Sequence, residues 1–398
     1  MAGSGRPGTA GRLPFHVRVM RRLPARGLPD PVCRVAVQHR IEVPAANGVP
    51  LLTDHYIPLA DGPCPTLLVR GPFSRGFPWD YVYGAQFAAQ GFHVLIQSCR
   101  GTGGSGGTFD PWRNERADGQ ATVAWLRQQD WFSGALGGIG TSYLGYAAWA
   151  PAAGSPPELR AIVADGSADP RAFFYPGGAF ALESALVGAV GYLSSERGPA
   201  SAATAILRLR RHQRRVARSL PLIDAYPAAL GGRSEMFEQW LTDPDPAGPY
   251  WSGLDLGAAT AKLAVPVSLV SGWYDVQLDQ TLEQYRRLRG EGSDVRLRES
   301  SGSCGPTFTW RRGWGWADGP PDTLVNAVVV SEFGEVPGRV VVLAESAGGR
   351  RCLIASKPRQ PLVDLPLRRP LVPGGVPSQH RAASFLKQSS FWVNCESR

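Results

Sequence analysis

The chain has 398 residues, of which 43% are hydrophobic, and a formal net charge of +9. This length allows two or three domains, and the apolar content is enough for one large core. The six cysteines contain no C-x-x-C pair, which argues against a zinc site or a disulfide framework and favours a reducing, cytoplasmic location. We therefore expect no metal. The longest apolar stretches are too short for a transmembrane helix.

The N-terminal segment is basic. Residues 1–29 hold six arginines and no acid, and they lack the apolar segment of a secretory signal. Residues 1–35 are therefore predicted to be a disordered leader. Short β-branched runs and helical periodicity define the elements that follow. The predicted strands are 34–43, 54–58, 66–69, 92–96 and 159–164, and the predicted helices are 79–90 and 117–128.

A serine-containing turn is predicted at residues 140–145, which read Gly-Thr-Ser-Tyr-Leu-Gly. An apolar run precedes this turn, and an alanine-rich, helix-favouring run follows it. A serine among small residues between a strand and a helix is typical of a nucleophile elbow. Leu144 replaces the last glycine of the usual G-x-S-x-G pattern, so an ordinary turn serine is the alternative for Ser142.

The region 170–260 is predicted to be mostly helical and to cover the site. One stretch of it alternates arginines with apolar residues, which predicts a helix with a solvated basic face. Binding to nucleic acid or to a membrane is the alternative function of that face. The arginines are Arg208, Arg210, Arg211, Arg214, Arg215 and Arg218.

An acidic residue follows the next predicted strand. Residues 265–270 read as a buried parallel strand, and Asp275 lies just past its end. Functional side chains of open α/β sheets lie at the carboxyl ends of strands. Asp275 is thus placed as the acid of a Ser…Asp…His order. The alternative is that Asp275 only caps the helix predicted after it.

Motifs at residues 47–56, 67–73, 100–110, 142–145, 243–251 and 272–275 together resemble the cocaine-esterase-like and X-prolyl dipeptidyl-peptidase-like (CocE/NonD) serine hydrolases. The resemblance covers about residues 41–297, and the family's own "SYLG" elbow accounts for Leu144. It implies an α/β-hydrolase fold with a helical cap insertion, Ser142 as nucleophile and Asp275 as acid. It also implies an oxyanion hole that includes the backbone amide of Tyr143, a small ester or peptide substrate, and no cofactor.

Two departures from the family pattern bear on catalysis. Phe73 occupies the position of an oxyanion-hole tyrosine, and phenylalanine has no donor. The family histidine is also missing, because His380 is the first histidine after Asp275. His380 is the remaining candidate for the base if the tail folds back over the elbow.

The sequence changes character after residue 297. Arginine, glycine, proline and serine dominate residues 298–398, apart from valine-rich patches at 325–330 and 340–343. This composition favours a change of reading frame, and a divergent but genuine C-terminal region is the alternative. We expect a poorly ordered tail without the β-sandwich of the family.

These observations predict an α/β-hydrolase core over 36–169 and 261–297, a cap over 170–260 and an atypical tail. The predicted function is a serine hydrolase of the dipeptidyl-peptidase or esterase type, impaired by the missing histidine. The alternative is a catalytically inactive scaffold that at most binds a ligand. We expect no nucleic-acid or membrane partner, and the sequence leaves a homo-oligomer open.

Overall fold

A computed structural model describes residues 11–21, 30–166, 168–195, 199–216, 218–261, 263–272, 275–300, 324–328, 341–345 and 351–353. The described elements all belong to one unit, residues 1–354. The main sheet has nine strands among these residues, in the order β1-β2-β3-β5-β4-β6-β7-β8-β9. The strands are β1 (Gly11–Arg12), β2 (Arg34–Pro44), β3 (Pro50–Leu59), β4 (Thr66–Gly71), β5 (His93–Ser98), β6 (Leu136–Thr141), β7 (Leu159–Asp165), β8 (Val267–Gly272) and β9 (Val295–Ser300).

The sheet is antiparallel at one side and parallel over the rest. β1, β2, β3 and β5 pair antiparallel, whereas β5, β4, β6, β7, β8 and β9 pair parallel. Every residue of β4 and β8 is buried, because parallel strands are covered by helices on both faces. The strands predicted from β-branched runs are present, with ends shifted by a few residues.

Helices connect the parallel strands, and α5 to α10 lie between β7 and β8, in the region predicted to be a cap. They are α1 (Phe15–Met20), α2 (Gln86–Ala88), α3 (Glu115–Leu126), α4 (Tyr143–Ala152), α5 (Pro170–Phe174), α6 (Leu182–Ser195), α7 (Pro199–Val216), α8 (Ala225–Leu230), α9 (Glu235–Thr242), α10 (Gly257–Thr260) and α11 (Leu278–Gly290). The helix predicted over 79–90 differs from expectation, because it begins as a π-helix at Asp80–Ala85 before α2. The predicted α/β class is confirmed.

Part of the expected leader is ordered, so the prediction of a disordered leader is wrong for residues 11–21. β1 pairs with β2, and Leu13 and Val17 are buried. His16 Nε2 also lies 2.6 Å from Asp80 Oδ2. The physical reason is that Leu13, before α1, and Val17, within it, join a buried apolar cluster of the sheet, and burial of apolar area stabilises the segment. Residues 1–10 and 22–29 lie outside the described residues.

An aromatic core joins the cap to the sheet. Trp112, in the loop before α3, lies 5.6 Å from the cap residue Trp240 between ring centroids. Phe174 of α5 lies 4.5 Å from the same indole ring. Phe174 and Trp240 are fully buried. Burial of such large rings contributes strongly to stability, so the cap is held over the carboxyl ends of the strands by its own side chains.

The arginine-rich helix of the cap is α7. It buries Leu209 and Val216, while Arg208, Arg210 and Arg215 are exposed. Leu209 and Val216 thus face the core, and the exposed arginines form the solvated face expected from the sequence.

Beyond the end of β9 at Ser300, the described part of the tail is a small antiparallel sheet. Its strands are β10 (Leu324–Val328), β11 (Val341–Glu345) and β12 (Arg351–Leu353). β10 and β11 coincide with the two valine-rich patches, and β12 was not expected. The prediction of a poorly ordered tail otherwise concerns residues outside those described.

Candidate active site

Ser142 occupies a strained turn between β6 and α4. Its backbone has φ 57° and ψ −121°, a left-handed φ that is unfavourable for a residue with a Cβ. Two glycines allow the turn. A Cβ on Gly140 would lie 2.2 Å from the carbonyl oxygen of Leu144, and one on Gly145 would lie 2.8 Å from that of Asp165. Only glycine lets helix and strand approach so closely. Ser142 is exposed at this turn, and the arrangement is that of a nucleophile elbow.

The amide predicted to bind an oxyanion begins α4. Tyr143 is the first residue of this helix, and the first amides of a helix have no acceptor within it. These amides also lie at the positive end of the helix dipole. The Tyr143 N–H is therefore suited to stabilise negative charge beside Ser142.

Asp275 lies past the end of β8, as the sequence predicted. It is 9% exposed, and its carboxylate accepts hydrogen bonds from the Gln277 amide at 2.8 Å and from Ser271 Oγ at 3.3 Å. These two donors hold the carboxylate in one orientation. The neighbouring residues Trp273 and Tyr274 lie outside the described residues.

The acid loop and the elbow lie beside each other. β6, β7 and β8 are adjacent and parallel, so their carboxyl ends share one edge of the sheet. Gly166, just after β7, links the two sides. A Cβ there would lie 2.9 Å from the carbonyl oxygen of Ser142 and 3.3 Å from Gln277 Oε1. The structure therefore brings Ser142 and the Asp275 loop to the same site.

His380, the candidate base, lies outside the described residues. Several of the described histidines are engaged elsewhere. His16 contacts Asp80, and His39 contacts Asp54. His55 Nε2 and His93 Nδ1 are 2.8 Å apart in a buried pair. His93 begins β5, opposite the start of β4, at the edge of the sheet away from Ser142.

Phe73 lies where the family pattern has a tyrosine. Its ring packs against Trp79 at 5.8 Å and against Tyr192 at 6.4 Å between centroids. The start of its loop touches the elbow helix, because a Cβ on Gly71 would lie 2.6 Å from Leu144 Cδ1. Phe73 is thus in a loop beside the elbow but offers no hydrogen-bond donor.

A buried polar network holds the elbow from below, and sequence reasoning missed it. The Tyr143 hydroxyl donates to Glu115 Oε1 at 2.9 Å and accepts from the Trp112 amide at 2.9 Å. Glu115 forms a 2.9 Å ion pair with Arg70, and Arg70 Nε donates to Gln97 Oε1 at 2.7 Å. Arg70, Glu115 and Tyr143 are at most 2% exposed.

Burial and neighbouring charges shift the pKa values of Arg70 and Tyr143 in this network. Burial alone would lower the pKa of Arg70, but the Glu115 carboxylate raises it. Burial and the same carboxylate raise the pKa of Tyr143 well above its usual value. The hydroxyl therefore stays protonated and donates to Glu115. A signal was present in the sequence, since Arg70 is a charged residue at the end of an otherwise apolar buried strand.

The described residues show two further properties. None of the helices described is long and apolar enough to cross a membrane. Among the same residues no three or more His, Cys, Asp or Glu side chains are grouped so that they could hold a metal ion.

A strained, exposed serine follows one parallel strand, and a hydrogen-bonded acid follows another. This arrangement is that of an α/β-hydrolase fold with a serine-hydrolase type of site. Comparisons then specify the family. The family model described as X-Pro dipeptidyl-peptidase (S15 family) matches residues 47–303. The chain therefore belongs to this family, and the resemblance to CocE/NonD hydrolases is confirmed.

The chain is also similar to individual proteins and solved structures. Cocaine esterase of Rhodococcus sp. (strain MB1 Bresler) is 33% identical over 278 residues, which are 66% of this chain and 48% of that protein. The chain thus spans about half the length of this curated relative. A Thaumarchaeota archaeon aminopeptidase structure is 18% identical, with a TM-score of 0.49 over 72% of this chain and 53% of that one. A CocE/NonD family hydrolase from Staphylococcus aureus is 15% identical, with a TM-score of 0.45 over 68% and 47%.

Proposed function

We propose that this chain is a serine hydrolase for small esters or X-prolyl peptides, with Ser142 as nucleophile and Asp275 as the residue that orients the base. The strained backbone of Ser142, at φ 57°, supports this most strongly. Such strain costs about 1–3 kcal/mol and clusters at active sites. The relative named cocaine esterase and the family description favour ester and peptide substrates respectively.

The proposed reaction is acyl transfer to water. Ser142 Oγ bonds to the substrate carbonyl carbon while its proton passes to a general base. The Tyr143 amide stabilises the negative oxygen that forms. Collapse of the intermediate breaks the bond to the alcohol or amine, which leaves with the proton. Water then attacks the acyl group in the same way and releases Ser142.

The proposed activity is weak. Loss of one oxyanion donor, here at Phe73, costs on the order of 10²–10³ in rate. His380 is the remaining candidate for the base, since it is the only histidine after Asp275 in the chain. If His380 did not reach Ser142, only about 10³–10⁴ over water would remain from the oxyanion hole and binding.

The alternative is a catalytically inactive scaffold that binds a ligand. The engagement of His16, His39, His55 and His93 with other partners favours it. Without a base, nothing removes the proton of Ser142 near neutral pH.

Turnover of p-nitrophenyl acetate and Gly-Pro-p-nitroanilide by the full chain distinguishes the serine hydrolase from the inactive scaffold. We expect slow turnover that disappears in Ser142→Ala and falls in Asp275→Asn. Ser155→Ala is the matched control, because Ser155 also has a positive φ, 46°, and lies outside the site. Loss of turnover in His380→Ala makes His380 the base. No turnover above that of Ser142→Ala with either substrate would leave the scaffold as the function.

A further inference from the structure

An open cavity of about 550 Å³ lies at the N-terminal end of the described chain. Four arginines line it, together with apolar residues and one thiol. The residues that matter here are Arg12, Arg18, Arg21, Arg34, Val32 and Cys33. All of them precede residue 47, where the family match begins. The cavity therefore lies outside the part of the chain that the family model matches.

The lining arginines come from β1, α1 and β2. Arg12 belongs to β1, Arg18 to α1 and Arg34 to the start of β2. Arg21 caps the C-terminal end of α1. β1 pairs with β2, and Val17 fixes α1 in the core. The fold thus places four arginines around one concave surface.

The positive charge of this cavity is not neutralised by the lining. Among the described residues that line the cavity there is no Asp or Glu, and within the same part of the chain none of the four arginines forms an ion pair. Basic residues near a helix C-terminus are favourable by themselves, which accounts for Arg18 and Arg21. It does not account for Arg12 and Arg34, which extend from strands. Four like charges repel one another, and a bound anion relieves that repulsion.

We propose that this cavity binds a small organic polyanion, with two or more phosphate or carboxylate groups on an apolar body. The arginines would hold the anionic groups through charge-assisted hydrogen bonds. The apolar wall at Val32 would cover the body of the ligand. The volume lies within the range of small-molecule sites, about 300–1,000 Å³. The proposal does not depend on the hydrolase activity of Ser142.

Isothermal titration calorimetry of the full chain with ATP tests this, because ATP carries three phosphates on an aromatic body. Tripolyphosphate carries the negative charge without the nucleoside, and adenosine is the nucleoside without the charge. The variant Arg18→Gln/Arg34→Gln removes two cavity charges. The variant Arg286→Gln/Arg289→Gln is the matched control, because it removes the same charge from exposed positions of α11.

We expect saturable one-to-one binding of ATP that weakens about tenfold or more in the cavity variant and is unchanged in the control. Adenosine should not bind. Equal weakening in both variants would show diffuse attraction to a basic protein and overturn the proposal. Absence of saturation by ATP and tripolyphosphate at about 1 mM would also overturn it. Binding to phosphatidylserine vesicles without binding to ATP would assign the arginines to a membrane instead.

Cys33 supplies a second readout at the cavity itself. Its thiol is partly buried and donates to the Ala88 carbonyl at 3.2 Å. ATP should slow alkylation of the Cys33 thiol in the folded chain by iodoacetamide. Mass spectrometry of the peptide that contains Cys33 measures the rate. The Arg18→Gln/Arg34→Gln variant should lose this protection. Protection that persists in that variant would place ATP elsewhere.

Discussion

Replacing Tyr143 with phenylalanine removes one hydroxyl from beneath the elbow and keeps the buried ring. The change breaks the 2.9 Å bond to Glu115 and the 2.9 Å bond from the Trp112 amide. An unpaired buried amide costs about 1–3 kcal/mol, and a hydrogen bond to a charged group contributes about 1.5–3 kcal/mol. Glu115 keeps its ion pair with Arg70 and so retains a partner. The total loss of stability is therefore smaller than the sum of the two costs. We expect the free energy of unfolding to fall by about 2–4 kcal/mol.

Urea unfolding at constant m-value measures this loss, and the same helix supplies a matched control. Tyr146 is also buried, but its hydroxyl makes one neutral bond, to the Leu254 carbonyl at 2.9 Å. Tyr146→Phe should cost only about 1 kcal/mol. Tyr143→Phe should also slow covalent labelling of Ser142, whereas Tyr146→Phe should not. Equal destabilisation by the two variants would refute the idea that the Glu115 network anchors the elbow.

Three further predictions concern the strain, the oxyanion hole and acid stability. Ser142→Gly should raise the free energy of unfolding by about 1 kcal/mol, because glycine tolerates the positive φ; a thermal midpoint below wild type would argue against strain. Phe73→Tyr should increase p-nitrophenyl acetate turnover by about tenfold or more by restoring a donor, and unchanged turnover would exclude this loop from the oxyanion hole. Burial lowers the pKa of His55 to about 3 and that of His93 to about 4, from 6.5. As pH falls, the two histidines of the unfolded chain take up protons before those of the folded chain, so the free energy of unfolding should fall as pH drops from about 6.5 to about 4. A His55→Phe/His93→Leu variant with the same dependence of stability on pH would contradict the assignment.

Local sequence signals predicted much of the sheet and the elbow. β4 and β8 are short β-branched runs between breakers, so their burial follows from the sequence alone. Ser142 and Asp275 lie directly after strands, and the parallel order of β6, β7 and β8 brings them to one edge.

Other features depend on contacts between distant parts of the chain. Tyr143, Glu115 and Arg70 are far apart in sequence, and no periodicity connects them before the fold places them together. The ordered leader was missed for a similar reason, since Val17 is stabilised by burial in the core of the sheet rather than by its own short helix. The π-helix at Asp80–Ala85 has no distinct sequence pattern.

Identification of the residue that reacts with a fluorophosphonate probe tests the central claim most directly. Labelling requires an activated serine, and peptide mass spectrometry locates the adduct in the full chain. The account predicts a slowly formed adduct on Ser142, absent in Ser142→Ala and retained in Ser155→Ala. An adduct on another serine, or equal labelling of Ser142→Ala and wild type, would contradict the assignment of Ser142 as the nucleophile.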